Sequence, residues 1–125
     1  MSEENKKTVI AFYEKLLNEF DAAGGIAQYG GKTYTQHNPL IEDGWEGVTK
    51  FAGWVRTNFP KSHMEIKRVF SDGDFVVLHC HWIRVPGEPG DAVVDLFRLE
   101  NGKVVEHWDV IQPIPETAAN RNTMF

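Results

Sequence analysis

The chain has 125 residues, enough for one domain with its own hydrophobic core and no need of disulfides or a metal to hold it together. Apolar residues make up 42% and charged residues 25%, ordinary values that exclude disorder and a helical membrane class. The formal net charge of -5, with acidic and basic residues interspersed, leaves no basic stripe for nucleic acid or an anionic membrane.

The polar, acidic stretch 1–7 carries no basic-then-apolar leader, so the cytoplasm is the expected location. Across 8–20, apolar residues fall at Val9, Ile10, Tyr13, Leu16, Leu17 and Phe20, the spacing of an amphipathic helix, with Ser2 as its expected N-cap. A second, shorter helix is expected over 21–29 and ends at Gly30-Gly31. A third starts after Asp43, where Asp43 and Glu46 are spaced like a capping box. It carries Val48, Phe51, Ala52, Val55 and Phe59 on one face until Pro60 stops it.

The second half reads as strands near 62–71, 74–85, 91–100 and 103–112, separated by glycine-, proline- and asparagine-rich turns. Cys80 lies within an apolar strand and reads as a buried thiol. Helices followed by a meander predict a single α+β domain spanning 1–125, with its helices on one face of a curved antiparallel sheet. The tail 113–125 is expected to be extended, and its apolar Met124 and Phe125 leave the pocket mouth or a partner subunit as docking surfaces.

The chemistry-bearing candidates concentrate in the last hairpin. A two-residue Asn101-Gly102 turn would pair Glu100 with Lys103 and set Asp95 opposite Trp108, splitting Asp95 and Asp109 between faces. A three-residue loop pairs Leu99 with Lys103 and Asp95 with His107, so that Asp95, His107 and Asp109 share a face with Val93, Phe97, Leu99, Val105 and Ile111. The second register is the expected one, because it builds an apolar pocket with a few convergent polar groups. It turns Val94, Leu96, Trp108 and Val110 to the other face, which a homodimer would cover.

Two carboxylates in an apolar pocket favour one protonated and one ionised partner, suited to removing a proton α to a carbonyl. Asp109, Asp95 and His107 are therefore the candidate catalytic residues. His37, His79, His81, Trp54 and Phe97 are candidate substrate contacts, and Tyr13 and Tyr34 can each offer a phenol. His79 and His81 alternate on one strand face and, with His107, raise a metal-dependent alternative, although no metal is the expected state. No nucleotide-binding glycine pattern or nucleophile elbow is present in the sequence.

Tyr34-Thr35-Gln36-His37-Asn38-Pro39, Asp43-Gly44-Trp45-Glu46-Gly47, Asn101-Gly102-Lys103 and Glu106-His107-Trp108-Asp109 together resemble the SnoaL-like polyketide cyclases of the nuclear transport factor 2-like superfamily. The likeness runs from about Thr8 to Pro115 and extends to a subgroup described as aldol-condensation enzymes. It implies a cone-shaped, usually dimeric domain without cofactor or metal, in which the acid/base aspartate corresponds to Asp109. The pocket histidine that such cyclases carry on the preceding strand corresponds to Asp95, a departure from their pattern. The resulting expectation is a cofactor-free lyase or isomerase acting on a small carbonyl compound. The alternatives are a non-catalytic binding or dimerisation module and a metal-dependent enzyme.

Overall fold

Helix α1 (Ser2–Tyr13) buries Val9, Phe12 and Tyr13, and a π-helical turn (Glu14–Asn18) continues it in the computed structural model, which describes residues 2–125. The wider turn lets the consecutive Leu16 and Leu17 both face inward. Ser2 lies inside the first turn of α1 rather than preceding it as a cap. Helix α2 (Ala22–Tyr29) is capped by the Asp21 carboxylate, which accepts from the Gly24 N–H at 2.9 Å. Helix α3 (Gly44–Asn58) buries Val48, Ala52 and Val55. Its Asp43 makes no side-chain cap, because that carboxylate instead accepts from the Gln36 backbone N–H at 2.8 Å and ties the loop to the preceding strand.

Five strands make one sheet in the order β1-β5-β4-β3-β2, comprising β1 (Gly30–Gln36), β2 (His63–Asp72), β3 (Phe75–Ile83), β4 (Asp91–Glu100) and β5 (Lys103–Pro113). The last four pair antiparallel, close to the expected limits. Strand β1 was not expected, and it runs parallel to β5, so the sheet is mixed rather than purely antiparallel. Of its two glycines, which read as a helix stop, Gly31 allows the approach to β5 and Gly30 the close packing of α2 and Trp45. A side chain at Gly31 would lie 2.6 Å from Val105 Cγ1, and one at Gly30 would meet Ile26 O and the Trp45 ring at 2.7 Å.

One sheet face carries the core. Val76, Leu78, Cys80, Trp82, Val93, Phe97 and Leu99 point to the helices and meet Val9, Phe12 and Val55. Phe12 packs edge-on against Phe97 and Trp45. The buried Cys80 thiol is pushed up by loss of solvent first and by the Asp95 charge second. The opposite face is open, with Phe70 59% and Val110 70% exposed.

The tail returns to that open face. Phe125 stacks on His81 with ring centres 4.6 Å apart and lies 5.4 Å from His79, while Arg68 donates to its carbonyl oxygen at 3.2 Å. It therefore docks on its own sheet, away from the pocket mouth. Among the described residues, no helix is long and apolar enough to cross a membrane.

Candidate functional site

The β4–β5 hairpin has a geometry that neither simple register anticipates. Asn101 and Gly102 both have positive φ, 50° and 75°, and form the two-residue turn that pairs Glu100 with Lys103. One residue later the ladder slips. Leu99 pairs with Val104 but Arg98 pairs with Glu106, leaving Val105 as the extra residue of a bulge. The expected pairing of Asp95 with His107 is thereby corrected: Asp95 faces Asp109 and Phe97 faces His107. The expected grouping survives because the bulge turns His107 and Asp109 back to the helix-covered face.

There they border a cavity of about 450 Å3. Its walls are largely apolar, drawn from the π-helical turn (Leu16, Leu17), α3 (Val48, Phe51, Trp54) and the sheet (Phe97, Ile111). Trp54 stands at the rim, half exposed, and Phe97 forms part of the floor.

The polar wall is a continuous hydrogen-bonded chain. Tyr13 Oη donates to Asp95 Oδ2 at 2.6 Å, and His107 Nε2 lies 2.7 Å from Asp95 Oδ1. His107 Nδ1 lies 2.9 Å from Gln36 Oε1, an oxygen that also accepts from the Asn38 backbone N–H at 3.0 Å. Gln36 Nε2 donates to Tyr34 Oη at 2.8 Å. The Asn38 backbone N–H orients the Gln36 amide with its oxygen toward His107, which suits an N–H donor at Nδ1.

Asp95 itself is fully buried behind Tyr13 and His107 and does not reach the cavity surface. Asp109 does. Its side chain is 9% exposed, Asn38 Nδ2 donates to both its oxygens at 2.9 and 3.1 Å, and His107 Nε2 lies 3.8 Å away. Burial pushes the Asp109 carboxyl above the ordinary carboxylate range, with His107 and the Asn38 amide pulling against it and the Asp95 charge adding to it. Burial likewise raises the Tyr34 phenol, and the Asp109 and Asp95 charges push it further the same way. Tyr13 is raised well above an ordinary phenol by burial first and its Asp95 neighbour next.

The remaining histidines lie elsewhere. His79 and His81, expected as substrate contacts, alternate onto the open face opposite the cavity. There His79 contacts Arg68, and His81 Nε2 meets Pro89 O at 2.7 Å. His37, also expected at the pocket, sits outside it, stacked on Trp108 at 4.7 Å and bonded to Glu106 at 2.7 Å. No site combining His79 or His81 with His107 can form across the sheet. Asp95, His107 and Asp109 do each offer one ligand atom within 4.8 Å of the others. Both Asp95 oxygens and both His107 nitrogens already hold hydrogen bonds, which an ion would have to displace.

Gln36 and Asn38 were not among the expected site residues. Their signal was the alternation of Tyr34, Gln36 and Asn38, which puts all three on one side once 30–36 is read as a strand.

A family profile described as a SnoaL-like domain matches residues 9–107. The chain belongs to the SnoaL-like family. No curated protein matches it in sequence. Among solved structures, TsrD from Streptomyces laurentii is 17% identical with a TM-score of 0.74, covering 89% of this chain and 90% of that one. A provisionally named polyketide cyclase from Acidithiobacillus ferrooxidans is 19% identical with a TM-score of 0.70, over 86% of this chain and 87% of that one. AclR from Streptomyces galilaeus, provisionally a hydroxylase, is 23% identical with a TM-score of 0.71, over 90% and 91%. These likenesses establish that the SnoaL-like chain shares their α+β fold. The different names on one fold show that the reaction is decided by the site.

Proposed function

We propose that this SnoaL-like chain is a single-domain, cofactor-free enzyme of the cytoplasm that removes a proton α to the carbonyl of a small, largely apolar compound. The observation that carries the reading is Asp109. It is a buried carboxylate on the cavity surface, aimed by the Asn38 amide and raised above the ordinary carboxylate range by burial, whereas Glu42 at the rim is exposed and paired with Lys50. Such a group is a stronger base than a solvated carboxylate at the same site would be.

The enolate that forms needs a hydrogen-bond donor. Tyr34 supports that role, since its hydroxyl accepts from Gln36 while its own proton has no acceptor among the described residues, and it borders the cavity. His107 Nε2 lies 2.7 Å from Asp95 and 3.8 Å from Asp109, which sets an imidazole beside the base as a partner in proton transfer. Return of the proton to another carbon gives isomerisation, and attack of the enolate on a second carbonyl gives the ring closure of a cyclase. A homodimer covering the open sheet face is the assembly that the exposed Phe70 and Val110 favour.

Deuterium incorporation from heavy water into a panel of ketones and β-dicarbonyls, followed by NMR, tests the reading. Wild type is expected to accelerate exchange over buffer, and Asp109→Asn to lose it by roughly a hundredfold or more with the fold retained. Ligand binding without exchange in either protein would leave a non-catalytic binding module. Exchange that requires stoichiometric metal, found by elemental analysis, would move the chemistry to an ion held by Asp95, His107 and Asp109.

A further inference from the structure

The cavity has a second polar end that the proposed proton transfer does not use. Arg84 follows β3 and borders the cavity at its rim, where its side chain is 38% exposed. The guanidinium is held in place from two sides. Nε donates to Asp91 Oδ2 at 2.8 Å, and that aspartate is only 4% exposed. The guanidinium carbon also sits over the Trp82 ring at 4.6 Å and near the Phe59 ring at 5.9 Å.

This anchoring uses one edge of the fork. Among the described residues the two terminal nitrogens of Arg84 donate to nothing, so the edge that grips a carboxylate end-on is free. The other cation bordering the cavity, Lys50, is paired with Glu42 at 2.7 Å.

A separate observation falls at the same end. Among the described residues two buried side-chain polar atoms have no partner, Ser62 Oγ and Trp82 Nε1, and of these two residues Trp82 borders the cavity. Unsatisfied buried donors cost free energy and mark places where a ligand or an ordered water completes the bonding.

We propose that Arg84, with the Trp82 indole against it, forms a carboxylate-binding subsite, and that the substrate is an apolar carbonyl compound ending in a carboxylate. This deepens the reading of Asp109 as the base and rests on the same cavity being the substrate site. Asp91 lies four residues from Asp95 along β4, and Asp95 faces Asp109, so the two ends are separated by roughly 13 Å of strand. The apolar side chains of Val93 and Ile111, paired across the two strands, fill the interval. A compound of some eight to ten carbons, gripped at its carboxylate, would present a carbonyl near the other end to Asp109 and Tyr34. Repulsion between the two carboxylates also sets the direction of entry, since the substrate's anionic end is favoured at Arg84 and disfavoured beside Asp109.

The probes are octanoate and octanamide, equal in length and differing in charge, titrated calorimetrically. Wild type is expected to bind octanoate roughly tenfold or more tighter than octanamide. Arg84→Gln combined with Asp91→Asn removes both charges without leaving a buried aspartate alone, and is expected to erase that preference. In wild type itself, the Arg84 Nε–H resonance is expected to shift with octanoate and not with octanamide, a readout independent of any variant's folding. Equal affinities in wild type, absent octanoate binding, or a preference kept by the double variant would each overturn the subsite. Asp109→Asn is expected to retain the preference. A wild type that shows the preference but accelerates no exchange removes the base and leaves the subsite, whereas exchange without the preference removes the subsite alone.

Discussion

The proposed role of Asp109 as the base comes with a cost to folding. Burial raises its carboxyl above the ordinary range, against the opposing pull of His107 and Asn38. A carboxyl raised on folding contributes stability that is complete below its unfolded pKa and is lost as pH climbs through the folded value. At neutral pH the ionised Asp109 therefore weakens the fold, and Asp109→Asn is expected to raise the melting temperature there. Lowering the pH into the ordinary carboxylate range should shrink that gain to nothing. Thermal denaturation of both proteins across this interval checks the sign. In the same samples the acid limb of wild-type exchange activity should lie above the range of a solvated aspartate.

The β4–β5 hairpin shows how one residue governs a site. Its tight turn sets one register, and the bulge at Val105 replaces it with another before His107 is reached. Without the bulge His107 and Asp109 would face outward, because strand side chains alternate. Deleting Val105 is expected to abolish exchange to the buffer rate. It should also destabilise the fold by roughly 3 kcal/mol or more, since Asp95 would be left buried without its imidazole partner. Chemical denaturation and the exchange assay measure the two effects separately. Loss of activity alone would mean that the core tolerates the slipped strand.

For the whole molecule, the sheet divides two environments. One face carries the core and the cavity, while the other presents Phe70, Phe75, Val94 and Val110 to solvent. Phe125 covers part of the second face around His79 and His81, leaving the β4–β5 side open. If two copies meet there, Val110→Lys should raise the dimer dissociation constant by roughly tenfold or more, because it places a charge in an apolar contact. Sedimentation equilibrium of both proteins over a concentration series reads that change. A wild-type protein monomeric at every concentration would remove the dimer.

Much of this was written in local patterns. Helical spacing of apolar residues and strand runs bounded by turns fixed three helices and four of the five strands, because each element buries a face whose period is visible along the chain. The shared face of Asp95, His107 and Asp109 was also legible, although for a mistaken reason: the turn is the two-residue form, and the bulge restores the grouping. Strand β1 was hidden because its glycines serve close approach, Gly31 to β5 and Gly30 to Ile26 and Trp45, and only Tyr34 along it is buried. With it went Gln36 and Asn38, which bond His107 and aim Asp109. The sides taken by His37, His79 and His81, and the meeting of Arg84 with Asp91 and Trp82, required the folded sheet. Alternation says which residues share a face, and only tertiary packing decides which face is covered.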